Sequence, residues 1–255
     1  MKKIKEKLSR NKITGKVIYY NEFYSQILKN KRTILMWLPP SYHKNKEKKF
    51  PVLYMHDGQN IMNPDTSFAG VDWQVDETVS RLIKANMIEE IIIVGIYNTS
   101  DRLKEYSYGK TGIKYMKFVS EELKEFVDSN YRTEKNNSAV MGSSMGGLIS
   151  FLIVWNYPAI INKAACLSSS FYFDSDKAIK IVNKYKGAQT EIKIYVDHGE
   201  DGLIEGQKMF CALSAKKYLM GKDIDYFYAP NAGHNEAAWA ERLDRPLIFL
   251  FGKRK

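Results

Sequence analysis

Ser144 stands at the centre of Gly142-Ser143-Ser144-Met145-Gly146, a Gly-x-Ser-x-Gly spacing followed directly by a further glycine, Gly147. A serine on a sharp turn between a strand and a helix takes a strained backbone conformation, so the residues two before and two after it must lack bulk. Gly142 and Gly146 meet that need. The apolar run Ala139-Val140-Met141 before them reads as a strand, and the stretch LISFLIVW after them reads as a helix. Such a helix aims its first N–H groups at the serine, so the amide of Met145 can bind an oxyanion. Ser143 lies off centre and reads as a neighbour, not a nucleophile. The competing reading of the motif is a glycine-rich structural turn.

A serine hydroxyl is a poor nucleophile until a positioned imidazole takes its proton. The chain has four histidines. His43 lies in a polar, Lys-flanked loop, and His56 ends an early strand where it reads as packing or lining. His198 follows a strand too early in chain order to be the base. His234, within Asn231-Ala232-Gly233-His234-Asn235, follows the last strand and precedes EAAWAERL; it is the expected base. A second oxyanion donor should come from the loop after an early strand. In His56-Asp57-Gly58-Gln59-Asn60, Gly58 permits a tight turn that points the amide of Gln59 inward; an ordinary Asp-Gly turn is the alternative. The carboxylate that orients the imidazole must follow a late strand, and IYVDHGEDGLIEG offers Asp197, Glu200, Asp201 and Glu205. Asp197 ends the strand. Glu205 falls in a first helical turn, where the macrodipole favours a carboxylate without any catalytic role. Glu200 and Asp201 occupy the loop between Gly199 and Gly202.

The elements that must position these residues alternate along the chain. Short β-branched runs at 16–20, 33–38, 52–56, 91–96, 138–141, 164–167, 192–196 and 225–228 read as strands, the first two antiparallel. Amphipathic or apolar stretches at 74–85, 114–129, 145–155, 178–185, 205–219 and 236–249 read as helices. This alternation predicts an α/β fold, with a mostly parallel sheet covered by helices on both faces. In such a sheet a ligand lies at the carboxyl ends of the strands, where Gln59, Ser144, Asp201 and His234 all fall. Residues 1–255 read as one domain, with 1–12 a flexible basic tail and no large lid.

The composition narrows the chemistry. A 44% hydrophobic content rules out intrinsic disorder, and Cys166 and Cys211 cannot form a disulfide scaffold and suit a reducing, cytoplasmic compartment. No apolar run reaches the length of a membrane span. The net charge of +10 suggests acidic partners, but no nucleic-acid-binding module or concentrated basic-aromatic segment accompanies it. Tyr108-Gly109-Lys110-Thr111-Gly112 resembles a phosphate loop but has Lys104 where the glycine should stand. The cysteines and histidines lack metal-ligand spacing, so a zinc site is not expected.

Together these segments resemble the esterase D-type branch of the α/β-hydrolase superfamily, which includes feruloyl and acetyl-xylan esterases, siderophore esterases and mycolyltransferases. The resemblance runs from about Lys16 to Gly252. It rests on LPPSY, PVLYMHDGQN, IIIVGIYN followed by RLKEYS, AVMGSSMGG, IYVDHGEDG and NAGHNEAAW. It implies an α/β-hydrolase fold and hydrolysis of a small-molecule or saccharide ester through an acyl-Ser144 intermediate. His234 would be the base, Gln59 and Met145 the oxyanion donors, and the resemblance implies neither metal nor cofactor. Asp201 matches the aspartate of G-x-x-D-like segments in feruloyl esterases, although Gly199 is followed by Glu200-Asp201 where relatives often carry Gly-Thr. A siderophore-lactone esterase and a non-catalytic binding protein on the same scaffold are the alternative readings. Trp73 reads as core or rim packing, with acyl-pocket lining as the alternative. Arg102, Glu105 and Tyr106 should approach the cleft mouth or form a structural salt bridge with tyrosine packing. The net charge, with Trp73, Tyr106 and Phe171 near loop ends, suggests a substrate with an acidic or polyhydroxylated portion beside a small or aromatic acyl group.

Overall fold

The computed structural model describes residues 13–200 and 204–253, so the basic tail and Asp201 lie outside the described residues. Among the described residues, strands β1 (Lys16–Tyr24), β2 (Lys31–Leu38), β3 (Phe50–His56), β4 (Ile92–Ile96), β5 (Thr133–Ser143), β6 (Lys163–Leu167), β7 (Lys193–His198) and β8 (Ile224–Tyr228) form one sheet. Their spatial order is β1-β2-β4-β3-β5-β6-β7-β8. The β1–β2 and β2–β4 pairs are antiparallel, and every other pair is parallel.

The parallel strands are apolar on both faces because helices cover both. Val52 and Tyr54 of β3 point into one core, while Leu53 and Met55 point into the other. The helices are α1 (Val75–Lys84), α2 (Arg102–Glu105), α3 (Lys110–Lys117), α4 (Lys124–Asn130), α5 (Met145–Asn156), α6 (Phe173–Lys184), α7 (Glu205–Ala215), α8 (Glu236–Ala240) and α9 (Asp244–Phe251). Side chains of α1, α8 and α9 fill the second core, and those of α3 through α7 the first. Helix α5 is buried from Met145 through Val154, which explains why its sequence is apolar on every side.

Two expected helices are broken. The stretch 114–129 contains a π turn, Phe118–Leu123, between α3 and α4. Phe118, Val119, Ser120 and Leu123 of this turn are all buried. The stretch 236–249 divides into α8 and α9. Pro246, in the first turn of α9, has no N–H and its ring would collide with the carbonyl four residues earlier. The short helix α2 was not anticipated. It is fixed by Glu105, whose fully buried carboxylate receives Arg32 Nη2 at 2.6 Å and Nη1 at 3.1 Å. That pair ties the loop after β4 to β2 and brings Arg102 to the cleft.

The start of β1 is pinned across the second core. Asp76, buried in the first turn of α1, accepts the Thr14 N–H at 2.8 Å. Burial pushes the Asp76 carboxyl up to about 8; Glu77 beside it adds to the rise, and the Thr14 N–H opposes it. A carboxyl whose folded pKa exceeds its unfolded value favours folding while protonated, so its contribution is lost as the pH rises towards about 8. The melting temperature of the wild type should therefore fall relative to Asp76→Asn between pH 5 and pH 9, as followed by circular dichroism. A constant difference would place the titration elsewhere.

Candidate active site

Ser144 has φ 55° and ψ −124°, a strained conformation for a residue with a side chain, and it caps α5 directly after β5. The turn exists because the flanking glycines let its two ends touch. A Cβ on Gly142 would lie 2.6 Å from the backbone of Gly146, and one on Gly146 would lie 3.2 Å from Asp57 Oδ2. Gly147 is needed for a different neighbour: its Cβ would fall 1.9 Å from Ser169 Oγ in the loop after β6. Ser143 is buried, whereas Ser144 keeps part of its surface open to the cleft.

Ser144, His234 and Gln59 line one cavity of about 550 Å³, with Asp57, Asn60, Phe68, Asn98, Arg102, Glu236 and Trp239 among its other walls. His234 is exposed to it, and its ring meets Trp239 edge-on at 5.1 Å. Asn235 accepts the Ala238 N–H at 3.0 Å, capping α8 immediately after the histidine. Met145 supplies the first residue of α5, one of the N–H groups that lack an intrahelical acceptor. Gln59 lies in the 3₁₀ turn Gly58–Asn60. There the left-handed residue is Asp57 (φ 54°), and Gly58 is required because a Cβ would lie 2.6 Å from the backbone of Gly95 and Ile96.

The other histidines are engaged elsewhere. His56 Nδ1 lies 2.9 Å from the Tyr115 hydroxyl, and burial holds its pKa down at about 3, so it is neutral at pH 7. His198 bonds the Gly199 carbonyl and the Tyr226 hydroxyl, both at 2.8 Å, and His43 is exposed in its loop. Among the acid candidates, Asp197 is completely buried. It receives Arg242 Nε at 3.0 Å and Nη2 at 3.1 Å, the Ser168 N–H at 3.0 Å and the Tyr195 hydroxyl at 3.2 Å. Burial pushes its carboxyl up, and the Arg242 guanidinium opposes the rise. Glu200 accepts the Tyr228 hydroxyl at 2.8 Å, and Glu205 pairs with Lys208 at 3.0 Å. The Glu200 N–H donates to the Ala232 carbonyl at 2.9 Å, so the loop that continues to Asp201 starts against the loop carrying His234. Gly199 permits this approach: a Cβ there would lie 2.0 Å from Ala232 O.

The packing reading of Trp73 holds, and its alternative as acyl-pocket lining does not. Trp73, Tyr106 and Phe171 are buried in the core; Trp73 packs on Trp239 at 5.5 Å, and the Tyr106 hydroxyl accepts the Asp57 N–H at 3.2 Å. Trp239 and the highly exposed Phe68 face the cavity instead. Arg102 forks onto Asp57, with Nε at 2.8 Å and Nη2 at 2.7 Å, and Asn98 Nδ2 adds a bond at 2.6 Å. Elsewhere in the lining Asn60 Nδ2 donates to Glu236 Oε1 at 3.2 Å. Sequence reasoning missed Asn60, Asn98, Glu236, Arg242 and Ser170. The serine run 168–170 after a strand was the one available signal for the last.

This sheet, with its strand-to-helix serine turn, is an α/β-hydrolase fold. The chain belongs to the Esterase family (described as "Putative esterase"), whose model matches residues 25–250. The endo-1,4-beta-xylanase/feruloyl esterase of Xylanibacter ruminicola is 29% identical over 170 residues, 63% of this chain and 23% of that protein. A ferulic acid esterase structure superposes with a TM-score of 0.74 at 23% identity, covering 92% of this chain and 98% of the other. The enterobactin esterase FES from Shigella flexneri has a TM-score of 0.74 at 18% identity, over 94% of this chain and 60% of that one. The chain spans 59% and 23% of the lengths of two curated relatives. Among the described residues, no helix is long and apolar enough to cross a membrane.

Arg242 ties the loop after β6 and helix α8 to the end of β7. Besides Asp197, it donates to Ser168 Oγ at 3.0 Å and to the Ala238 carbonyl of α8 at 2.7 Å. Arg242→Ala should destabilise the protein by about 3–5 kcal/mol in urea unfolding, because it strands a buried carboxylate. Arg242→Lys should recover only part of that loss, since an ammonium cannot span the same fork. A loss within about 0.5 kcal/mol would show that Asp197 is stabilised by other groups.

Proposed function

We propose that this protein is a carboxylic ester hydrolase working through an acyl-Ser144 intermediate. The observation that carries the reading is the strained Ser144 turn opening into the cavity that His234 also lines. Ser144 Oγ attacks the ester carbonyl carbon while His234 takes its proton. The amides of Gln59 and Met145 stabilise the oxyanion of the tetrahedral intermediate. The intermediate collapses, His234 returns the proton to the leaving alcohol, and water then repeats the sequence to free the acid and Ser144. Asp201 holds His234 in the required tautomer and stabilises the imidazolium. That role is supported by the tether between Glu200 and Ala232 and by the other commitments of Asp197, Glu200 and Glu205.

The substrate joins a planar or apolar acyl group to a polyhydroxylated alcohol, such as a saccharide. Trp239 and Phe68 offer the apolar wall, and Gln59, Asn60, Asn98, Arg102 and Glu236 offer hydrogen bonds. The free thiols Cys166 and Cys211 suit a cytoplasmic setting. A panel of acetyl, feruloyl and siderophore-lactone esters would identify the acyl and alcohol preferences.

A fluorophosphonate probe should label Ser144 and not Ser143, and Ser144→Ala should lower kcat by on the order of 10³-fold or more. Mapping of the adduct to another serine would sink the assignment. Asp201→Asn should leave the fold intact and reduce kcat by up to about 10⁴-fold, because the imidazole loses its tautomer control. A near-normal kcat in that variant would move the acid's role to a neighbour.

A further inference from the structure

Ser170 follows β6 in the run Leu167-Ser168-Ser169-Ser170-Phe171 and is 1% exposed. Its hydroxyl lies 3.2 Å from Ser144 Oγ. Resting on the reading of Ser144 as nucleophile, we propose that Ser170 is a further catalytic residue, a hydrogen-bond donor to the attacking oxygen. A hydroxyl has one proton and two acceptor lone pairs. If Ser144 gives its proton to His234, its Oγ can only accept from Ser170. That bond fixes the Ser144 rotamer before attack and strengthens as negative charge builds on Oγ, then weakens once the oxygen becomes an ester oxygen. No proton passes to or from Ser170 in the cycle; the proton transferred is the one exchanged between Ser144 and His234.

The surrounding backbone is built to hold this contact. The Ser144 N–H donates to Leu167 O at 3.0 Å, and the Ser170 N–H donates to Ser144 O at 3.0 Å, so the turn and the loop are stitched in both directions. Two residues earlier, Ser168 sits at φ 41°, a left-handed conformation that costs free energy in a residue with a Cβ. Its N–H is held by Asp197, through the carbonyl at 3.1 Å and Oδ1 at 3.0 Å, and its hydroxyl by Arg242 Nη2 at 3.0 Å. Gly147 removes the side chain that would push this loop away from α5.

The test measures the rate constant for fluorophosphonate labelling of Ser144, together with kcat/KM for p-nitrophenyl acetate, in the full chain. Ser170→Ala and the similarly sized Ser170→Cys should both react about tenfold more slowly at an unchanged Tm, as loss of one hydrogen bond implies. Ser170→Thr, which keeps the hydroxyl, should recover most of the labelling rate. A purely structural role would shift Tm and would not discriminate hydroxyl from thiol. Wild-type rates in Ser170→Ala would overturn the assignment, and so would a Ser170→Thr protein of wild-type Tm that stays as slow as Ser170→Ala. If the wild type is not labelled at Ser144 and Ser144→Ala keeps its activity, the nucleophile reading itself fails, and the Ser170 role falls with it.

Discussion

A carboxylate buried at the end of a parallel strand is costly unless its lone pairs find donors, and Asp197 finds four. The donors come from three places: its own strand, the loop after β6 and the segment between α8 and α9. Arg242 is shared among these places, because its fork reaches Asp197 and Ser168 while its remaining nitrogen reaches α8. One ion pair therefore fixes the loop beside Ser144 and the short helix behind His234 relative to the same strand end. A cleft assembled from loops would otherwise drift by more than the few tenths of an ångström that proton transfer between them tolerates.

Close backbone approach is the second constraint, and it acts with the first. Gly142 against Gly146, Gly147 against Ser169 and Gly199 against Ala232 each remove a side chain where two segments of the cleft meet. The strain then falls on residues that have side chains, at Ser144 and Ser168. Strained non-glycine residues persist only where neighbours over-determine them. Both serines here have backbone groups held by strand-end partners.

Local chemistry was legible from the chain. The Gly-x-Ser-x-Gly turn, the alternation of strands with helices and the position of His234 after the last strand all depend on residues close in sequence. What depended on tertiary approach was not legible. The donor set of Asp197 requires Arg242, 45 residues away, and the contact of Ser170 with Ser144 spans 26 residues. The sequence points to Gly58 as the residue that permits the tight turn; Asp57 takes the left-handed conformation, and Gly58 makes room for β4. Aromatic residues near loop ends were poor guides to the lining for a related reason. Tyr106 is buried behind the cavity wall, where its hydroxyl meets the Asp57 N–H and its ring lies 5.1 Å from the Arg102 guanidinium. The two helix breaks had one visible cause, Pro246, and one invisible one, the π turn, which carries no breaker residue.

Net charge and local charge part company in this molecule. The chain carries +10, yet the basic residue in the cleft wall, Arg102, is forked onto Asp57, which cancels most of its field. The lining also carries Glu236, in the first turn of α8, where the helix dipole favours a negative group and Asn60 supplies a donor. The cavity thus presents directional donors and acceptors more than a net positive potential. Long-range attraction by the basic surplus would affect encounter rates and fade with added salt. Selection within the cleft would depend on whether the hydroxyls and carbonyls of a bound ester match Gln59, Asn60, Asn98, Arg102 and Glu236. These side chains are held by bonds to one another, to Asp57 or to the backbone, so a ligand that fails to match them leaves polar groups unsatisfied and is rejected for that reason.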